Sequence, residues 1–391
     1  MLEVSISPWP SYTREEIEAV TKVLQSNRVN YWTGDECRKF ESEFAEWSGS
    51  LFAIAVANGT LALDIALKAL NIEQGDEVIT TPRTFLASTS SIVNAGANPV
   101  FADVDLNSQN ITAKTIEAKI TPNTKAVIVV HLAGMPAEMT DIMELSAKYG
   151  FYVIEDCAQA HGALYKGKSV GTIGHIGAWS FCQDKIMTTG GEGGMVTTND
   201  QELWSKMWAY KDHGKSYDAV YNQEHAAGFR WLHDTFGSNF RMTEMQAAIG
   251  RIQIKKMHDW SERRRKIGND IDNSLMHIKA VRIVVVPEYM RHAEYKHYFF
   301  IRPEHLKLGW SRDKIIHEIN ARGIPVYQGS CPEVYLEKAF DDTGWRPTKR
   351  LINAKKLGET SIMCLVHPTL SESEVKLMCY TMNEILNMAS K

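Results

Sequence analysis

The chain has 391 residues, of which 44% are hydrophobic and 23% charged, and its formal net charge is -4. That length exceeds what one compact core usually organises, so a large domain over residues 1–270 and a smaller one over 271–391 are expected. The near-neutral balance offers no basic face for nucleic acid, and no apolar stretch is long enough to cross a bilayer.

Cys37, Cys157, Cys182, Cys331, Cys364 and Cys379 are scattered with no C-x-x-C spacing, so neither a zinc site nor a disulfide framework is expected. The histidines likewise show no ligand-type spacing, and no metal is expected. The opening MLEVSISPWPSYTREEIEAV lacks the basic-then-apolar order of a secretory signal, and free thiols suit a reducing compartment. A cytoplasmic protein is the expectation.

From about residue 50 to 200, short apolar β-branched runs alternate with amphipathic helical patterns, the mark of βαβ units. Phe52 to Ala57 reads as a strand, and Asn58-Gly59-Thr60 turns from it into a helix with Leu63, Ala66, Leu67 and Leu70 on one face. Further buried strands are expected at Glu77–Thr80, Pro99–Ala102, Ala126–Val130 and Phe151–Ile154, with a helix over Met139–Tyr149. Together they predict an α/β fold around a mainly parallel sheet covered on both faces. A long helical pattern then runs from about Thr243 to Asp272 and leads into the smaller α/β domain, which includes a strand at Tyr298–Ile301. The basic run Arg263-Arg264-Arg265-Lys266 in that helix reads as a solvated face.

Four segments carry possible chemistry. Lys185 sits in a glycine-dense, sparsely charged stretch from Gly171 to Gly194. Glycine lets backbone approach a ligand closely, and a lysine held out of water can form a Schiff base with an aldehyde. Glu155-Asp156 lies at the carboxyl end of a buried strand, where ligands of open α/β sheets bind. A carboxylate there needs a cationic partner, such as a pyridinium nitrogen, unless it caps a helix or closes an internal salt bridge. Asn58-Gly59-Thr60 opens a helix whose free N–H groups suit a phosphate, though it is also an ordinary turn and cap. Ser180 offers a second phosphate contact or a plain strand end. Phe85, after Thr81-Pro82-Arg83-Thr84, could stack on a flat ring or fill core.

Taken in order, these segments resemble the DegT/DnrJ/EryC1/StrS family of pyridoxal-phosphate sugar aminotransferases, of the aspartate aminotransferase fold type I. The likeness also includes Val29-Asn-Tyr-Trp-Thr-Gly34, Phe40-Glu41, His131-Leu-Ala-Gly134, Gln159-Ala-His161-Gly162, Asp212-His213-Gly214 and Ser238-Asn239-Phe240-Arg241-Met242. The resemblance implies that Lys185 holds pyridoxal 5'-phosphate as a Schiff base, Asp156 meets the pyridine nitrogen and Gln159 the phenolic oxygen. Phe85 would stack on the ring, while Gly59, Thr60 and Ser180 hold the phosphate. Asn239 would reach the cofactor phosphate of a neighbouring subunit, so a homodimer with shared sites is implied. Trp32, His161, Arg241 and His367 could border the substrate or serve only the structure.

The implied reaction moves an amino group from glutamate to a keto group of a nucleotide-linked deoxysugar. C4 is the favoured position and C3 the second, with the product feeding lipopolysaccharide, other surface polysaccharide or glycoconjugate synthesis. A sugar dehydratase, in which histidine replaces the lysine, and a non-catalytic cofactor-binding regulator are the other readings. Asp184 stands where the family often has asparagine, and Gly329–Tyr335 replaces its more usual Pro-Leu-His pattern.

Overall fold

Apolar runs with no solvated face need neighbours that helices cover on both sides. In the computed structural model, which describes residues 6–391, such runs form a seven-stranded sheet. Its strands are β1 (Phe52–Val56), β2 (Glu77–Thr80), β3 (Asn98–Phe101), β4 (Thr124–Val130), β5 (Tyr152–Asp156), β6 (Ile176–Ser180) and β7 (Gly194–Thr198). Their order is β1-β7-β6-β5-β4-β2-β3, and only β7 runs antiparallel to its neighbours. This is the mainly parallel α/β sheet anticipated, with β6 and β7 added. Those two strands contain Gly177 and Gly194 among their apolar residues, and glycine is a weak strand former, which hid them.

The topology fixes where chemistry can occur. The carboxyl ends of β1, β2, β4, β5 and β6 all emerge at one edge, and β7 starts there. Asn58 caps the helix Gly59–Ala69 by accepting the Leu61 N–H at 3.0 Å, so the turn after β1 is a true helix start.

The helix Glu244–Leu275 begins in a capping box, Thr243 with Gln246, and runs three residues beyond the expected Asp272. Its first half packs Ala247, Ile254 and Met257 with Phe40, Trp179 and Phe181. Its last turns, Ile267, Ile271 and Leu275, pack in a second core with Phe299, Ile319 and Met382. That core lies under a four-stranded antiparallel sheet built from Val281–Ile283, Lys296–Ile301, Ser361–Leu365 and Val326–Tyr327. The opposite face of the same sheet presents Tyr298 and Phe300 to residues of the large sheet.

The basic run in the long helix is not uniformly solvated. Four consecutive residues at about 100° each cover every side of a helix, so one must point inward. Arg264 does: it is buried and donates to the carbonyls of Glu294 and Val366. Arg263 and Lys266 bridge outward to Glu372 at 2.7 and 2.6 Å. All six cysteines are unpaired thiols. Among the described residues no helix is long and apolar enough to cross a membrane.

Candidate active site

Adjacent residues of a strand point to opposite faces of the sheet, so Glu155 and Asp156 occupy different surroundings. Glu155 is fully satisfied. One oxygen meets His131 Nε2 at 2.9 Å, and the other accepts the N–H groups of Ile173 and Gly174 at 2.8 and 2.6 Å. His131 Nδ1 accepts the Ala137 N–H at 3.0 Å, which assigns the proton to Nε2. Burial opposes ionisation of Glu155, but His131 and the loop N–H groups outweigh it and hold its carboxyl below the usual range. His131, Glu155 and Cys157 form a ligand-type cluster. Both imidazole nitrogens are already engaged within the chain, and the cluster acts as a strut.

Asp156 is also buried, but among the described residues it has only neutral donors, the Ser88 hydroxyl at 2.7 Å and the Ala158 N–H at 3.2 Å. Each such bond to a charged group contributes about 1.5–3 kcal/mol, against several kcal/mol to strip water from a carboxylate. The balance goes against the charge. Burial raises the Asp156 carboxyl, and Ser88, Ala158 and the nearby positive charge of Lys185 offset this only in part.

Lys185 lies on the turn after β6, where its N–H donates to Cys182 O at 3.0 Å. Trp9 latches the turn from outside: its indole N–H donates to Lys185 O at 2.8 Å. Trp9 also packs edge-on to Trp260 at 5.1 Å, stacks near His367 at 6.2 Å and lies under the Arg264 guanidinium. The Lys185 amine sits 5.0 Å from the centre of the Tyr295 ring. The Tyr295 hydroxyl donates to the Asp184 carboxylate.

Around these two charges the structure gathers most of the expected cofactor residues. Gln159 Oε1 accepts the Ala133 N–H at 2.7 Å, a bond that holds the amide in place. Gly59 and Ser180 meet face to face; a Cβ on Gly59 would lie 2.5 Å from Ser180 Cβ, so only glycine permits the approach. That puts the Ser180 hydroxyl beside the first N–H groups of the helix that Thr60 also begins. Phe85 is 73% exposed on the loop after β2, and that loop is fixed by buried Arg83, which donates to Gln109 at 3.0 Å and Ser361 at 3.2 Å. Gly329–Tyr335 closes over the same loop, with the Val334 N–H donating to Pro82 O at 2.8 Å.

The remaining expected residues are more dispersed. His161 is wholly buried beside Trp179 and Phe181, with no partner for either ring nitrogen. Burial, with Lys185 and Arg264 nearby, pushes it down to about 3, so it is a neutral imidazole. His367 bonds Thr369 at 2.8 Å, and burial with Arg264 and Lys296 nearby pushes it down to about 4. Trp32 and Arg241 belong to a separate group around buried Asp212. Arg241 pairs with Asp212 at 2.5 Å, and the Lys215 amine lies 4.2 Å over the Trp32 ring. Asn239 is exposed on the extended segment preceding Arg241.

Sequence reasoning named His131 only within a likeness and missed Ser88, Tyr295 and Trp9, with Lys296 as a neighbour of the site. For Ser88, a hydroxyl one helical turn after Thr84 was the available signal; for Lys296, a cation opening an otherwise apolar strand.

Pyridoxal phosphate requires a lysine for its aldehyde, a carboxylate for its ring nitrogen and donors for its phosphate. The residues present fit it: Asp156 is a buried carboxylate with no ion pair among the described residues, the charge of Lys185 acts on it from nearby, and the close approach of Ser180 to Gly59 sets a hydroxyl at a helix start.

Comparison with known proteins agrees. The chain is similar to an aminotransferase from Psychrobacter cryohalolentis of known structure, with 59% identity, TM-score 0.97, and 98% of this chain and 100% of that chain covered. It is 43% identical to GDP-perosamine synthase of Escherichia coli O157:H7, over 66% of this chain and 68% of the relative. It is 39% identical to dTDP-3-amino-3,6-dideoxy-alpha-D-galactopyranose transaminase of Aneurinibacillus thermoaerophilus, over 69% of this chain and 72% of the relative. Residues 10–383 match the DegT/DnrJ/EryC1/StrS aminotransferase family, and with this fold and this site the chain belongs to that family of fold type I enzymes.

Proposed function

We propose that the protein transfers an amino group from glutamate to a keto carbon of a nucleotide-linked deoxysugar, with pyridoxal phosphate as cofactor. The observation that carries this reading is Asp156, a buried carboxylate raised by desolvation and facing Lys185 at the carboxyl edge of the sheet. When bound, the cofactor supplies an electron sink for the substrate carbon that loses a proton.

The chain's own residues do the rest. Asp156 keeps the cofactor ring nitrogen protonated by offering it a fixed negative charge, and Ser88 orients that carboxylate. Lys185 would take the proton from the α-carbon of the amino donor and hold it for return, serving as base and then acid. Gln159 stands beside the phenolic oxygen. Gly59, Thr60 and Ser180 hold the phosphate, Phe85 covers the ring, and Asn239 completes the phosphate site of a partner copy in a homodimer.

C4 is the favoured keto position, and similarity to GDP-perosamine synthase supports a nucleotide-linked sugar as the acceptor. The 3-amino sugar in the name of the dTDP-sugar relative supports C3 as the second reading. Either product would enter surface-polysaccharide or glycoconjugate synthesis. The deciding test is the visible spectrum of the purified protein. A yellow band that bleaches with L-glutamate is expected, and mass spectrometry of products from candidate keto sugars then identifies the acceptor. A protein that stays colourless with added pyridoxal phosphate would defeat the proposal.

A further inference from the structure

Lys296 has no part in the machinery above, yet it stands next to it. It opens the strand Lys296–Ile301 of the small sheet, opposite Leu365, and reaches across to the lysine turn of the large one. Its side chain is only 17% exposed. The amine lies 4.6 Å from the centre of the Tyr295 ring, the same ring that Lys185 approaches at 5.0 Å. Two ammonium groups therefore share one aromatic ring. They repel each other, and Arg264 adds a third positive charge in range of Lys296.

Compensation for this cation is thin. The carboxylate paired with it is Asp184, at 3.9 Å, the outer limit of an ion pair. Asp184 is itself 57% exposed and already accepts the Tyr295 hydroxyl. A lysine buried this far normally has a close carboxylate or several hydrogen bonds. Burial instead pushes the Lys296 ammonium down to about 8, with Asp184 restoring part of the loss. A largely buried, poorly paired cation beside the reactive amine is the electrostatic complement of an anion arriving with the substrate.

We infer that Lys296 anchors an anionic oxygen group of a substrate positioned at Lys185, either the carboxylate of the amino donor or the phosphate of the sugar nucleotide. The inference rests on the aminotransferase reading. It gives the small sheet a direct role in substrate selection, because Lys296 arrives from that sheet while Lys185 belongs to the large one.

The test compares wild-type holoenzyme with Lys296→Gln and, as a control for a purely structural strut, Asp184→Asn. Bleaching of the cofactor band is titrated with L-glutamate, and calorimetry follows binding of glutarate, an unreactive dicarboxylate, and of UDP, GDP and dTDP. If the carboxylate is the ligand, Lys296→Gln raises half-saturating glutamate and the glutarate Kd about tenfold or more, with nucleotide binding unchanged. If phosphate is the ligand, the nucleotide Kd rises instead and the glutamate titration stays put. Either result, with an unchanged resting spectrum and a milder effect of Asp184→Asn, supports the anchor. Equal effects of the two variants, or no shift in any titration while wild type responds normally, overturn it. A wild-type band indifferent to glutamate would instead defeat the glutamate reading itself.

Discussion

The two faces of the central sheet at the end of β5 carry adjacent carboxylates with opposite fates. On one face Glu155 has His131 and two loop N–H groups, and its environment favours the charge. On the other, Asp156 has two neutral donors and an environment that resists the charge. Both are buried, so depth alone does not mark a functional acid. The discriminating feature is whether the protein itself meets the polar demand. Where it does, the group is a strut; where it stops short, a ligand is expected to finish the work.

Substitutions can break or sharpen this contrast. The largest effect is expected at Lys185, the cation on the unfinished face. Lys185→Ala should lower turnover by at least about ten-thousand-fold while the melting temperature stays near wild type. Retained turnover in stopped assays would end its assignment. Asp156→Asn comes next, with turnover down about a thousandfold. Its cofactor-free form should nonetheless be no less stable than wild type at neutral pH, as urea denaturation would show. The sign follows from linkage. Asp156 is raised in the fold, so the cofactor-free protein loses stability as pH climbs past the ordinary aspartate range, and the asparagine variant escapes that loss.

Glu155→Gln should do the reverse. It is expected to destabilise the fold by about 3 kcal/mol, since one amide oxygen cannot accept from both the His131 Nε2–H and the Ile173 and Gly174 N–H groups, and buried donors are left unpaired. Glu155 is lowered in the fold, so its stabilisation is present above the ordinary glutamate range and fades as pH falls; the variant should lack that part of the pH dependence. A glutamine variant as stable as wild type would erase the contrast. Gly59→Ala should cost about 2 kcal/mol through its contact with Ser180 and weaken cofactor retention, measured by dialysis against phosphate. The smallest effect belongs to His161. Its ring makes only apolar contacts, so His161→Phe should change stability by less than about 1 kcal/mol in thermal denaturation.

What could be read from the chain alone was local. Asp156 ends a recognisable apolar run, Gly59 opens a helix, and Lys185 sits amid dense glycine, so each was a local candidate, and only their order, through the family resemblance, gave them roles. The parallel sheet was legible for the same reason, except at the glycine-bearing strands β6 and β7. What could not be read depends on distant pairing. Ser88 meets Asp156 across 68 residues, Tyr295 meets Asp184 across 111 and Trp9 meets Lys185 across 176. No periodicity encodes such partnerships. Arg264 failed differently, because a four-residue basic run looks solvated until one member is found to face the core.

The Trp9 latch has a consequence for how the chain is made. Trp9 leaves the ribosome well before its partners at 185, 260 and 367. At ordinary synthesis rates roughly half a minute separates the first of these residues from the last. The indole must wait through that interval before the full set of partners around the lysine turn is present. A chain halted before residue 367 can close the Lys185 and Trp260 sides of that clasp but lacks the imidazole that stacks on its outer face.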